Sequence, residues 1–273
     1  MGRDVELKAG RWRAVVSPDR GGRLRWLGEA NPQGREREAW LRPLLIERGI
    51  ALGGAGVMLL GPSSPLTGLE QQEPDPACLN ARWQVTQWVP DRVTLMLHPG
   101  GGSPGSWGFQ ASQTLRLEEH RLEWSLSVRN LSRLALPARF GWQLHFPEDF
   151  SGAVWLDEGF DALRLPGRGH VELRDPWCGL ASLSGAGGRM VLTRASALLD
   201  TLAYERHATR SWVQLRLMTA DSPRLVPLPR GEELQLQLSL DLMTPRLPPL
   251  TRLADGMGGS ADGIGGPGGP LIL

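Results

Sequence analysis

Residues 137–147 read Pro137-Ala138-Arg139-Phe140-Gly141-Trp142-Gln143-Leu144-His145-Phe146-Pro147. With a period of two, Phe140, Trp142, Leu144 and Phe146 share one face, and Arg139, Gly141, Gln143 and His145 share the other. The pattern predicts a strand that buries a wall of aromatic surface on one side. On its other side it displays an imidazole, a carboxamide and a guanidinium beside a glycine that leaves open space. Solvated sheet faces more often carry Thr, Glu and Lys, so this polar set marks a candidate cleft strand. An ordinary strand with one face in water is the competing reading.

Outward from this strand the same period recurs. Residues 121–129 set Leu122, Trp124, Leu126 and Val128 against Glu123, Ser125 and Ser127, and a short turn joins them to the strand pattern at 113–117. Residues 211–219 put Val213, Leu215 and Leu217 on one face and Trp212, Gln214, Arg216 and Met218 on the other. Residues 233–243 alternate most cleanly, with Leu234, Leu236, Leu238, Leu240 and Leu242 opposite Gln235, Gln237, Ser239 and Asp241. Further strand patterns lie at 12–17, 23–27, 57–60, 82–88, 92–98, 153–156, 163–165, 171–173 and 189–194. Residues 28–43 read as an irregular polar loop carrying Trp40, 62–80 as a long connection, and 196–204 as the one short helical segment. Many strands and almost no helix predict an all-β chain, one large antiparallel β-sandwich. A single domain is expected over residues 1–250. The Gly- and Pro-rich tail at 251–273 lacks apolar periodicity and reads as flexible.

Composition narrows the function classes. Hydrophobic residues make up 41% of the 273 and charged residues 22%, the balance of a folded chain with a sizeable core. A net charge of +1 supplies no field for nucleic acid or anionic lipid, so neither partner is expected. There is no apolar run behind a basic start and none long enough to span a bilayer, which makes a cytoplasmic location the expectation. Cys78 and Cys178 stand outside any metal-ligand spacing and read as reduced structural thiols. The glycine-rich patch at 49–56 lacks the Gly-Lys-Ser/Thr of a phosphate cradle. No metal or cofactor is expected.

Several segments taken together carry a resemblance. They are Pro18 with Gly21-Gly22-Arg23-Leu24, the run from Phe109 to Leu117, and Leu122 to Asn130 with Leu131-Ser132. The step Leu136-Pro137, the run Gly141 to Phe146, Leu163 to Gly167 and Leu228 to Glu232 belong with them. Over residues 10–245 this resembles the aldose 1-epimerase, or galactose mutarotase-like, family. The resemblance implies that family's supersandwich, a hexose-like carbohydrate ligand and interconversion of sugar anomers by acid–base ring opening. In the family's Gly-x-His-Pro-Tyr-Phe motif the histidine taken as general acid aligns with Gln143. His145, two residues on and on the same face, is the candidate catalytic residue in its place. Of the family's earlier His-Gly pair with its Arg and Trp, only Arg82 and Trp83 remain. The family's glutamate base falls near Gln214 or Arg216, and neither is a base.

Mutarotation needs a base for the anomeric hydroxyl and an acid for the ring oxygen, each worth roughly 10²–10⁴-fold. Glu158, Asp161 and Asp175 are the carboxylates available as replacement base, and Trp107 and Trp177 the loop tryptophans available for stacking on a sugar. Trp12, Trp124 and Trp142 read as core by phase. Three readings stay open. One is a sugar epimerase using His145. Another is a catalytically silent carbohydrate-binding protein using Arg82, Arg139, Gln143, Gln214 and Arg216. The third is a sandwich with a structural or interaction role and no small ligand.

Overall fold

The structure, a computed structural model, describes residues 4–30, 36–47, 50–60, 81–98, 108–136, 139–155, 162–164, 169–174, 179–206, 212–219 and 226–244. The chain opens with β1 (Val5–Ala9), β2 (Trp12–Ser17), β3 (Arg23–Ala30), β4 (Glu36–Ala39) and β5 (Leu45–Glu47). It continues through β6 (Ile50–Leu52), β7 (Ala55–Leu60), β8 (Gln84–Val89), β9 (Arg92–Leu97) and β10 (Phe109–Leu117). Next come β11 (Arg121–Asn130), β12 (Arg139–Pro147), β13 (Ser151–Trp155), β14 (Ala162–Arg164) and β15 (Gly169–Arg174). The last are β16 (Leu180–Ser184), β17 (Met190–Ala195), β18 (Thr201–Arg206), β19 (Trp212–Met218) and β20 (Glu233–Met243). Among the described residues the only helical element is a 3₁₀ turn at Ala186–Gly188.

All but the β5–β6 hairpin belong to two nine-stranded sheets whose pairings are antiparallel. The first runs β1-β2-β3-β7-β12-β19-β18-β15, with β4 on β3. The second runs β14-β13-β16-β17-β20-β11-β10-β9-β8. Alternation fills the space between them. Phe140, Trp142, Leu144 and Phe146 of β12 and Leu122, Trp124, Leu126 and Val128 of β11 are buried in one hydrophobic core. Trp124 and Trp142 meet edge to face across the two sheets, their ring centres 6.2 Å apart. Burying a large apolar side chain of this kind contributes roughly 2–3 kcal/mol, so this seam holds the layers together. The expected antiparallel β-sandwich is the fold observed, and Trp12, Trp124 and Trp142 are core residues.

Local expectations failed where tertiary pairing overrode composition. The segment at 196–204 is not helical: Thr201–Arg206 is β18, held between β15 and β19, with Leu202 and Tyr204 packed in the core. The irregular loop expected at 28–43 is partly strand, since β3 continues to Ala30 and β4 pairs with it. Trp40 is buried against Trp12, ring centres 5.2 Å apart. β1 and β16 carried too few alternating residues to stand out, yet each pairs along its whole length. The long connection at 62–80, both cysteines, Glu158, Asp161, Asp175, Trp107, Trp177 and the tail at 251–273 lie outside the described residues.

The end of the second sheet is tied by Asn130, which is fully buried. Its amide donates to the carbonyls of Leu134 and Leu228, both at 2.8 Å, and its oxygen accepts from the backbone N–H and the hydroxyl of Ser132 at 2.8 and 2.6 Å. Both donors and both acceptor positions are used, a saturated hub at the turn where the chain leaves β11. Asn130→Ala would remove all four of these hydrogen bonds, each worth about 0.5–1 kcal/mol net, although the Leu228 carbonyl keeps the Leu136 N–H and the Leu134 carbonyl keeps the Ser132 hydroxyl. The urea midpoint of Asn130→Ala should therefore show a destabilisation of about 2–3 kcal/mol, and a change below 0.5 kcal/mol would show that water replaces the amide.

Candidate ligand cleft

Two central strands place the candidate side chains. β12 and β19 pair with Gln143 opposite Arg216 and His145 opposite Gln214. Directly opposed residues of an antiparallel pair share a face, so these four groups stand together on the side of the sheet away from the sandwich core. β7, on the other flank of β12, puts Gly56 opposite Gln143, and β18 puts Glu205 opposite Gln214 and Ala203 opposite Arg216. Two rows result. One reads Gly56, Gln143, Arg216, Ala203. Its neighbour reads His145, Gln214, Glu205.

This face is largely covered. Arg139, His145 and Gln214 are buried, while Gln143 and Arg216 are half-buried and so the accessible members. The reading of β12 as having one face in water is thereby corrected. Arg139 is spent at the strand's end, where its Nε donates to the carbonyl of Thr219 at 3.0 Å. The open space expected beside Gly141 is also absent. A Cβ there would lie 1.8 Å from the Leu217 carbonyl oxygen, so the glycine admits the neighbouring backbone rather than a ligand.

His145 is held from three sides. Its backbone N–H donates to the Gly54 carbonyl at 3.0 Å, and its Nδ1 lies 3.2 Å from the same oxygen. A carbonyl accepts only, so Nδ1 carries the proton and Nε2 presents its lone pair. The Gln143 amide nitrogen stands 3.4 Å from that Nε2, and the Trp212 ring packs edge-on with its centre 5.0 Å away. The His145 pKa is lowered to about 4, chiefly by burial and then by the nearby guanidinium groups of Arg23 and Arg42, with the Gly54 carbonyl opposing them. At neutral pH the imidazole is uncharged, with no proton on the nitrogen that faces Gln143. The expectation that His145 donates a proton as general acid runs against this arrangement.

Arg23 and Arg42 were not anticipated. β3 pairs with β7 through Leu24 and Ala55, which sets Arg23 beside Gly56. A Cβ on Gly56 would come within 3.0 Å of the Arg23 Cγ and 3.3 Å of its Nε, so the missing side chain is what lets Arg23 lie across β7 toward Gln143. The turn before Arg23 is pinned from the second sheet, where Gln113 donates to the Gly22 carbonyl at 3.0 Å and accepts from Trp124 Nε1 at 2.9 Å. Arg42 enters through backbone, its N–H donating to the His145 carbonyl at 2.9 Å and its own carbonyl accepting from Gly54 at 2.6 Å. Alternation from Leu24 assigns Arg23 to the outer face, but only the cross-strand register shows that it meets Gly56.

Arg82 is not part of this group. It precedes β8 of the second sheet, is mostly exposed, and pairs with Asp19 at 2.9 Å; Trp83 beside it is a core residue. Among the described residues, no group of three His, Cys, Asp or Glu is placed to hold a metal ion, and no helix is long and apolar enough to cross a membrane.

No protein-family model matches the sequence, and no curated protein matches it. Solved structures do match in fold. The Slr1438 protein of Synechocystis sp. PCC 6803 superposes with a TM-score of 0.68 at 15% identity, covering 89% of this chain and 96% of that one. A galactose mutarotase related enzyme from Lactobacillus acidophilus gives 0.66 at 14% identity, covering 89% and 98%. A galactose mutarotase-like protein from Lactobacillus casei gives 0.66 at 13% identity, covering 88% and 100%. At these identities the likeness is one of fold: the chain has the galactose mutarotase-like β-sandwich, matched over 88–89% of its length.

Proposed function

We propose that this chain, folded as a galactose mutarotase-like sandwich, binds a hexose-like carbohydrate on the outer face of β12 and β19 without the acid–base pair of mutarotation. The observation that carries the reading is the pairing of Gln143 with Arg216 and of His145 with Gln214. These groups supply donors and acceptors of the kind that bind sugar hydroxyls. Gln143 offers its oxygen and the N–H not directed at His145 Nε2, and Arg216 gives donors. None of them delivers a proton at neutral pH. A histidine with a pKa of about 4 is protonated in only about one molecule in a thousand at pH 7.

Aldose 1-epimerase activity is the second reading, favoured by Glu205. That carboxylate stands in one row with Gln214 and His145, the right residue type for a base that takes the anomeric proton. Polarimetry on freshly dissolved aldoses separates the two, with calorimetry on the same sugars reporting binding. The binding reading expects heat of binding and no acceleration of mutarotation over buffer. Acceleration that Glu205→Gln abolishes would replace it with the epimerase. Gln143→Ala should weaken binding about 3- to 10-fold, the effect of one neutral hydrogen bond. Unchanged affinity would place the sugar elsewhere.

A further inference from the structure

We infer that the outer face of the second sheet, on the side of the sandwich away from β12 and β19, is a docking surface for an extended acidic peptide segment of a partner protein. An open groove of about 690 Å³ crosses that face. Four arginines line it, Arg92, Arg116, Arg121 and Arg194, against one carboxylate, Glu123. Cross-strand register sets these groups in line. Arg92 of β9 opposes Arg116 of β10, and Arg116 opposes Glu123 of β11. Glu123 opposes Ser239 of β20, which in turn opposes Arg194 of β17. Opposed residues share a face, so one row crosses five strands with guanidinium groups at both ends. Beside it runs a neutral row of Thr94, Thr114, Ser125 and Gln237.

The charge in this row is unbalanced at one end. Like charges directly opposed on adjacent strands repel, and Arg92 and Arg116 are such a pair. Arg116 reaches Glu118 at 3.3 Å and Glu123 at 3.9 Å, while Arg121 and Arg194 share Asp241. Arg92 has no ion pair among the described residues, and its buried Nε has no hydrogen-bond partner there. A carboxylate laid between Arg92 and Arg116 would relieve the repulsion and engage the idle donor. Arg92 and Arg194 stand four strand spacings apart, about 19 Å at about 4.8 Å each. An extended chain advances about 3.3 Å per residue, so acidic side chains about six residues apart meet both ends together. The middle, over Glu123 and Ser239, takes a neutral residue. Two features favour a peptide over a nucleic acid. Glu123 stands within the row and repels a continuous phosphate backbone, and the aromatic residue at the groove, Trp124, is packed in the core and cannot stack on a base.

The test is fluorescence anisotropy on the full chain with a labelled peptide, Glu-Glu-Ser-Gly-Ser-Gly-Glu-Glu, and its counterpart with Gln for every Glu. Half-exposed charge pairs are each worth roughly 1.5- to 5-fold in affinity. Several together should hold the Glu peptide about 10-fold or more above the Gln one, with the gap closing as salt rises. Arg92→Gln and Arg116→Gln should each weaken the Glu peptide about 2- to 5-fold without lowering the melting temperature. Arg116→Gln decides by itself if the Arg92 variant fails to fold, because the Arg116 side chain is half exposed. Arg82→Gln, an exposed arginine paired with Asp19 away from the groove, should leave binding as it is. Equal binding of the Glu and Gln peptides, or no binding of either, overturns the inference. So does an affinity for the Glu peptide that neither groove variant changes. A single-stranded oligonucleotide or inorganic phosphate that binds as tightly as the Glu peptide would replace it with a general anion surface. A dimer in sedimentation that Arg92→Gln disperses would put a second copy of this chain there instead. None of these outcomes bears on the sugar reading, which concerns the other sheet.

Discussion

Gly141→Ala is expected to destabilise the protein by about 3–5 kcal/mol, a large share of the 5–15 kcal/mol typical of a folded domain. The new methyl would lie 1.8 Å from the Leu217 carbonyl oxygen and 2.8 Å from the Met218 Cα. Both are backbone atoms of β19, so no rotamer change relieves the overlap. β12 and β19 would have to separate by more than an ångström where they exchange ladder hydrogen bonds, and the strands beyond β19 would move with them. The buried faces on either side, with Trp142 and Leu217 in the core and Met58 and Met218 packed together on the outer side, leave little slack. Urea unfolding of the variant measures the loss. A cost below 1 kcal/mol would mean that the two strands are not so closely apposed. Gly56→Ala is the control, because its methyl meets the Arg23 side chain and not backbone, at 3.0 Å. Its effect should fall on ligand binding more than on stability.

Gly141 also marks where sequence reasoning stops. Period-two phase assigned every β12 residue to the correct face, and it did the same for 212–218, because each strand carries an unbroken apolar set that fixes its phase. Phase says nothing of register. That Gln143 opposes Arg216, and His145 opposes Gln214, follows from a pairing across some 70 residues, which only the resemblance to a known sandwich made expectable. The glycine read as open space is a tight approach for the same reason, since local pattern does not show what stands opposite. Arg23 and Arg42 were invisible as site residues because their placement depends on other segments, Gly56 leaving room for the Arg23 side chain and Gly54 bonding the Arg42 backbone. Arg82 fails in the reverse sense. It was one of the two residues left of a family motif, but the chain turns its guanidinium out to Asp19.

Between pH 6.5 and about 4 the protein should lose on the order of 3 kcal/mol of stability through His145 alone. The folded-state pKa is about 4 against the usual 6.5, so the unfolded chain takes up the proton first. Wherever the unfolded state binds more protons, stability rises with pH, by 1.36 kcal/mol per unit when one full proton separates the states. His145 therefore imposes no acid-linked loss above about 6.5, and its stabilising neutrality is lost progressively as pH falls toward 4. The groups that face it are part of the shift. Arg23 from β3 and Arg42 act on it directly, Arg139 of β12 and Arg216 of β19 share its face, and Glu205 of β18 is the carboxylate in its own row. Carboxylates elsewhere titrate in the lower part of the same window, so wild type alone would not isolate the imidazole. His145→Asn does, because its amide nitrogen takes the place of Nδ1 and can donate to the Gly54 carbonyl without ever accepting a charge. Urea midpoints should fall steeply for wild type between pH 6.5 and 4.5 and much less for His145→Asn, with the difference closing at neutral pH. Parallel curves for the two proteins would show that His145 is not the buried neutral group described, and would restore it as a proton donor near physiological pH. That outcome would return the epimerase reading to first place.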